Sequence, residues 1–233
     1  AIAKAVFARH PNDPGAAHYW IHGMDDPAHA AGALVAARAL SKIAPDAGHA
    51  QHMCSHIFMA LGMWDDVVEA NINAIRVDDD HDRAADRPVI DCGHYNIWLQ
   101  YGYQQQGRYK AAAEKLAACQ STMETALAWM DAHPRQPEAS ASARQSLVGR
   151  DKRSLIFQRG TFVIDSRQWD GAAANMTLGD PVHGDRDAWD LFAMGYAAAQ
   201  RKDCPLAHDA LQKLHKVART YPADPDAEQD DET

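Results

Sequence analysis

Neutral imidazole is the commonest protein ligand for late first-row transition metals, and this chain gathers it. Seven of its 13 histidines lie between His10 and His56, in HPNDPGAAHYWIHGMDDPAHA and APDAGHAQHMCSHIFMALGMW. His18 and His22 are four apart, as are His52 and His56, and the second pair repeats the first at an offset of 34. Four apart is one helical turn, so each pair shares a helix face and can present two ring nitrogens to one ion at ~2.0–2.1 Å. Two such pairs on neighbouring helices would supply four nitrogens. Zinc is the first expectation, copper or nickel the next. Carboxylates stand nearby: Asp25 three beyond His22, and Asp91 three before His94. Either can orient a ligand histidine through its other ring nitrogen.

The elements that must carry these residues are helices. Alanine is abundant while valine, isoleucine and threonine are sparse, which favours close-packed helices over sheets. An offset of 34 is the period of a helix–turn–helix repeat. Prolines, glycines and polar clusters punctuate the chain into hairpins over about 14–45, 48–77, 93–130, 143–178 and 187–220. The polar stretch VDDDHDRAADRPVID, 77–91, reads as a solvated connection, and HPRQPEASAS, 133–142, as a linker. The start, AIAKAVFAR, reads as the second helix of an incomplete hairpin stopped by His10-Pro11, so a longer native chain is expected. The end, 223–233, reads as an acidic disordered tail.

Three segments repeat one pattern: GMWDDVVEANINAI (62–75), GRYKAAAEKLAAC (107–119) and RQWDGAAANM (167–176). Each sets an aromatic residue soon after a turn and a small or branched apolar residue three later, Val67, Ala112 or Ala172. The first repeat keeps Ala33 and Pro45, and the fifth keeps Gly195, Ala207 and Leu211. In these motifs the chain resembles the tetratricopeptide repeat family over most of residues 1–220. The His-rich segment is similar to a group of bacterial repeat proteins of unknown task. The resemblance implies an all-α fold, a right-handed α-solenoid of about five hairpins forming one domain over 1–222.

Register follows from the same motifs. His18 and His52 precede the markers Ala33 and Val67 by 15, and His22 and His56 precede them by 11. His49 and His94 stand 18 before Val67 and Ala112, and Tyr101 stands 11 before Ala112. The resemblance places these positions on the first helices, facing a concave groove. The expected metal set is therefore His18, His22, His52, His56, His49 and His94. Asp25, Asp91, Tyr101 and Gln104 are expected behind the ligands or along the groove.

Three functions fit. The first is a binding protein with a histidine-rich metal site, which takes a peptide, protein segment or small ligand in its groove. The second is a plain peptide-binding module with the histidines as polar contacts. The third is a metal-dependent hydrolase with Asp25 as base. No HExxH, nucleophile elbow, phosphate loop or dinucleotide fingerprint occurs. A net charge of −9 argues against nucleic acid as a main partner. No run approaches the ~18 unbroken apolar residues of a membrane helix.

The remaining candidates read as structural. His10, His29 and His81 fall in or near turns, and His133, His183, His208 and His215 have no partner pattern. Cys54 reads as a buried thiol, and Met53, Met59 and Met63 as core packing. Cysteines at 54, 92, 119 and 204 show no CxxC and no disulfide framework. The compartment, cytoplasmic or periplasmic, stays open.

Overall fold

Asp13 starts the first full hairpin. Its carboxylate accepts from the Ala16 amide at 3.1 Å, with Pro14 in the first turn where no amide hydrogen is needed. The computed structural model describes residues 1–176 and 185–220. The tail at 223–233, His183 and residues 177–178 lie outside them. Within the described residues the chain is all-helical, with no strand. The helices are α1 (Ile2–Arg9), α2 (Pro14–His22), α3 (Leu34–Ile43), α4 (Gly48–Ala60), α5 (Trp64–Ala84), α6 (His94–Gln105), α7 (Tyr109–Ala132), α8 (Ala141–Ser166), α9 (Asp185–Gln200) and α10 (Cys204–Thr220). Short 3-10 turns at Ala30–Ala33 and Pro137–Ala139 lead into α3 and α8.

By contact density the chain falls into two units, Ala1–Leu155 and Ile156 onward. In the first unit each helix from α1 to α7 packs on the next, and α2 also packs on α4. Alanine makes this close approach possible: Ala17, Ala30, Ala33, Ala36 and Ala37 are fully buried around Ile21, Leu40 and Ile57. Phe7 of α1 meets Trp20 of α2 at 5.5 Å between ring centres, which ties the first helix to this core. Gly62 and Gly107 take φ of +68° and +69° in the turns before α5 and α7, a conformation open to glycine without strain. In the second unit α9 packs on α10.

Three expectations need correction. First, α5 continues to Ala84 through the stretch read as a loop. Its charges pair along the helix rather than dissolve it: Arg76 with Asp80 at 3.4 Å, and Arg83 with Asp79 at 3.2 Å and Asp80 at 3.3 Å. Pairs at this spacing each support a helix by ~0.2–0.5 kcal/mol. Second, no helix forms over 167–176, so the fourth hairpin lacks its second half. Arg167 turns the chain at φ +56°, and the Arg159 guanidinium donates to the carbonyls of Ala173 (2.9 Å) and Ala174 (3.0 Å), which fixes an irregular turn. Third, Cys92 and Cys119 form a disulfide, with Cα atoms 4.6 Å apart. A single bridge between the segment just before α6 and the middle of α7 has no spacing signature in the sequence. Cys54 is free and buried, and burial pushes its thiol up to about 11.

Candidate metal centre

His52 is the floor of the site. It lies in the middle of α4, wholly buried. Its Nδ1 is 2.7 Å from Asn71 Oδ1 on α5. Asn71 Nδ2 is already committed to the Val67 carbonyl at 2.8 Å, so Oδ1 must be the acceptor and His52 Nδ1 must carry the proton. The other nitrogen, Nε2, is then a bare lone pair. It is buried and has no hydrogen-bond partner. A buried acceptor left unpaired costs stability, so such atoms in native proteins call for an explanation. Burial also drives the His52 pKa down to about 3, against a smaller opposing effect from Asn71, which keeps the ring neutral and able to donate.

Two more histidines stand beside this ring, with ring centres 5.1 Å (His56) and 4.5 Å (His94) from that of His52. His56 is one turn along α4, and His94 opens α6 behind Gly93, whose φ of +93° lets the chain swing into the helix. One nitrogen from each of His52, His56 and His94 lies within 4.8 Å of the other two. Among the described residues no other three histidines, cysteines or acids meet that closely. The triad grades outward: His52 is buried, His56 half-buried and His94 exposed, which leaves a way in. His56 Nδ1 donates to Asp25 Oδ2 at 2.6 Å. That is the carboxylate–imidazole arrangement that fixes ring orientation in metal sites. Asp25 serves His56 across the helix pair rather than its own neighbour His22. So engaged, it is also poorly suited to the role of a free base.

Trp98 walls the site. Its ring centre is 4.5 Å from that of His56, 4.9 Å from His52 and 5.6 Å from His94. Tyr95 lies 4.8 Å from His52. Both follow His94 on α6, and an apolar wall strengthens any charge interaction inside.

The other expected ligands adjoin the triad. His18 and His49 place their Nε2 atoms 3.1 Å apart, one ring donating and the other accepting. Ring centres are 4.6 Å apart for His18–His22, 6.1 Å for His22–His56 and 6.4 Å for His49–His52. All six histidines thus form one continuous patch on α2, α4 and α6. Burial, with repulsion from neighbouring rings, lowers the pKa of His18 and of His94. Asp91 stands elsewhere, ion-paired with Lys115 while its amide donates to Thr122, so it does not orient His94. Tyr101 packs edge-on against Trp64 at 5.8 Å, and Gln104 is buried and accepts from Gln100. Neither touches the histidine patch through these contacts.

Sequence reasoning missed Asn71 as the residue that sets the His52 tautomer. It stands on the next helix, and nothing in its spacing from His52 marks it. Trp98 had a signal, since it lies four after His94 and so shares its face. Comparison with known proteins adds no further lead: the chain matches no family, no curated protein and no solved structure.

Proposed function

We propose that this chain is a tetratricopeptide-like helical repeat protein that binds a transition metal, zinc first, through His52, His56 and His94. The single observation that carries the reading is that His52, whose buried Nε2 has no partner, groups with His56 and His94 so that one ring nitrogen from each lies within 4.8 Å of the other two. Zinc accepts three imidazole nitrogens at ~2.0–2.1 Å and takes a fourth ligand from solvent or a bound molecule. In this reading the hairpins stack as a solenoid, and the patch on α2, α4 and α6 lies in its groove. Sequential packing of α1 to α7, and the direct packing of α2 on α4, support that arrangement. A peptide carboxylate in the groove would complete the metal shell. His18, His22 and His49 line its approach.

Calorimetric titration of metal-stripped protein with zinc tests the proposal. Wild type should bind one equivalent, and the double variant His56→Ala/His94→Ala should lose stoichiometric binding. His22→Ala should keep it. Absence of a stoichiometric phase in wild type would defeat the metal reading and favour the plain peptide-binding module.

One observation favours a second reading, hydrolysis. Three protein nitrogens leave a tetrahedral position open, as in catalytic rather than structural zinc sites. Asp25 is engaged with His56, so another group would have to accept the proton.

A further inference from the structure

Beside the histidine triad, and sharing His49 and His94 with its patch, lies a cavity of about 420 Å³. Its walls are the second half of α5, the segment from Ile90 to Asn96, and Asp151 with Arg150 on α8, all within the first unit. The acids Asp78, Asp79, Asp82 and Asp151 line it.

Two buried acceptors there have no donor. Asp151 is 1% exposed; its Oδ1 takes the Arg150 Nε–H at 3.0 Å, and its Oδ2 has no partner. Asn96 is 4% exposed; its amide nitrogen donates to the Cys92 carbonyl at 3.2 Å, and its Oδ1 has no partner. Asp79 and Asp82 are bonded to Arg83 and Arg87. The carboxylate of Asp78 presses against Gly48 at the start of α4. Burial raises the carboxyls of Asp78 and Asp151, as expected for acids lacking a full complement of donors. What these acceptors lack is N–H donors, and the acids around them favour a cationic source.

A bare metal ion is a poor fit. Among the described residues, no three carboxylates come within the 4.8 Å mutual distance that the histidine triad meets, so they stand too far apart to close around one ion. The charge must arrive spread along a molecule. Ile75, Ile90 and the Tyr95 ring offer apolar wall for methylene groups. The volume is in the range of small-molecule sites.

We propose that this cavity binds an aliphatic diamine or polyamine. One ammonium satisfies Asp151 Oδ2, Asn96 Oδ1 and the α5 carboxylates receive other N–H groups, and the methylene chain lies on Ile75, Ile90 and Tyr95. The site needs no metal, so it stands or falls separately from the triad.

Calorimetry on the full chain, once chelator-treated and once zinc-loaded, tests this with 1,4-diaminobutane and spermidine. 1,4-Butanediol and n-butylamine are controls, and calcium is a competitor. The diamine should bind both preparations with a dissociation constant well below millimolar. Butylamine should bind at least tenfold more weakly, and the diol should not bind. Asp151→Asn should lose at least tenfold in diamine affinity while melting higher than wild type without ligand, because the variant no longer buries an underpartnered charge. A merely structural Asp151 would not give those opposite signs. Asp78→Asn, at an exposed position, should weaken binding without lowering the melting temperature. No diamine binding at millimolar concentration, equal affinity in Asp151→Asn, or displacement of the amine by equimolar calcium would each overturn the proposal.

Discussion

Acid should unfold the metal-free protein through His52, and the amount can be worked out. The ring is wholly buried and its pKa is pushed down to about 3, against ~6.5 in an unfolded chain. Between those values the unfolded state binds a proton that the folded state refuses. Stability is therefore present in full above the unfolded value and is lost as pH falls from there toward 3. Taking the protein from about pH 7.5 to about pH 5 should remove about 2 kcal/mol through this one side chain. With a denaturant slope of about 2 kcal/mol per molar urea, the midpoint should move down by about 1 M. His18 and His94, also lowered, act in the same direction, whereas the raised carboxyls of Asp78, Asp79 and Asp151 act against them. Urea titrations of wild type and His52→Gln at both pH values isolate the contribution, because the other groups cancel in the difference. On acidification the variant should keep the about 2 kcal/mol that wild type loses through His52, whatever its stability at neutral pH. Parallel pH responses in the two proteins would show that His52 titrates freely, and the burial argument would fail with it.

Other consequences can be checked more briefly. Copper(II) should quench part of the tryptophan fluorescence, because Trp98 lies 4.5–5.6 Å from the triad rings; Trp98→Phe should remove most of that quenching in a titration at neutral pH. Gly102→Ala should cost ~1–3 kcal/mol by thermal or urea unfolding, since the added carbon would sit 2.9 Å from Val68 where α6 crosses α5. Reducing Cys92–Cys119, which closes a loop of 27 residues, should cost ~3–4 kcal/mol on the chain-entropy account. A urea midpoint unchanged by reductant would contradict it.

The helices were largely legible in the sequence because turns carry local signals. Asp13-Pro14, Gly62 and Gly107 mark their elements within a residue or two. The acidic end of α5 was misread because a run rich in aspartate looks like a loop unless its i,i+3 and i,i+4 partners are counted. The segment after Ser166 was misread for the opposite reason. RQWDGAAANM copies the repeat pattern, yet Arg159, several residues upstream, holds its carbonyls in a turn. At the site, HxxxH pairs at a constant offset brought four histidines to notice, and the spacing of His49 and His94 before Val67 and Ala112 brought two more. The choice among them rests on depth. His52 differs from His18 by being buried against Asn71, and that comes from packing between helices rather than from periodicity.

The disulfide has a practical bearing on any metal assay. Cys92 stands two residues before His94, so reduction frees a thiol beside a ligand. Thiolate binds zinc and copper strongly. Protein handled with reductant therefore offers the metal competing thiolates, and its stoichiometry and affinity no longer report the imidazole triad alone. A phosphine or thiol carried through purification is thus an experimental variable in its own right. Titrations that speak to the imidazole triad are those made on protein whose free-thiol count is two, Cys54 and Cys204.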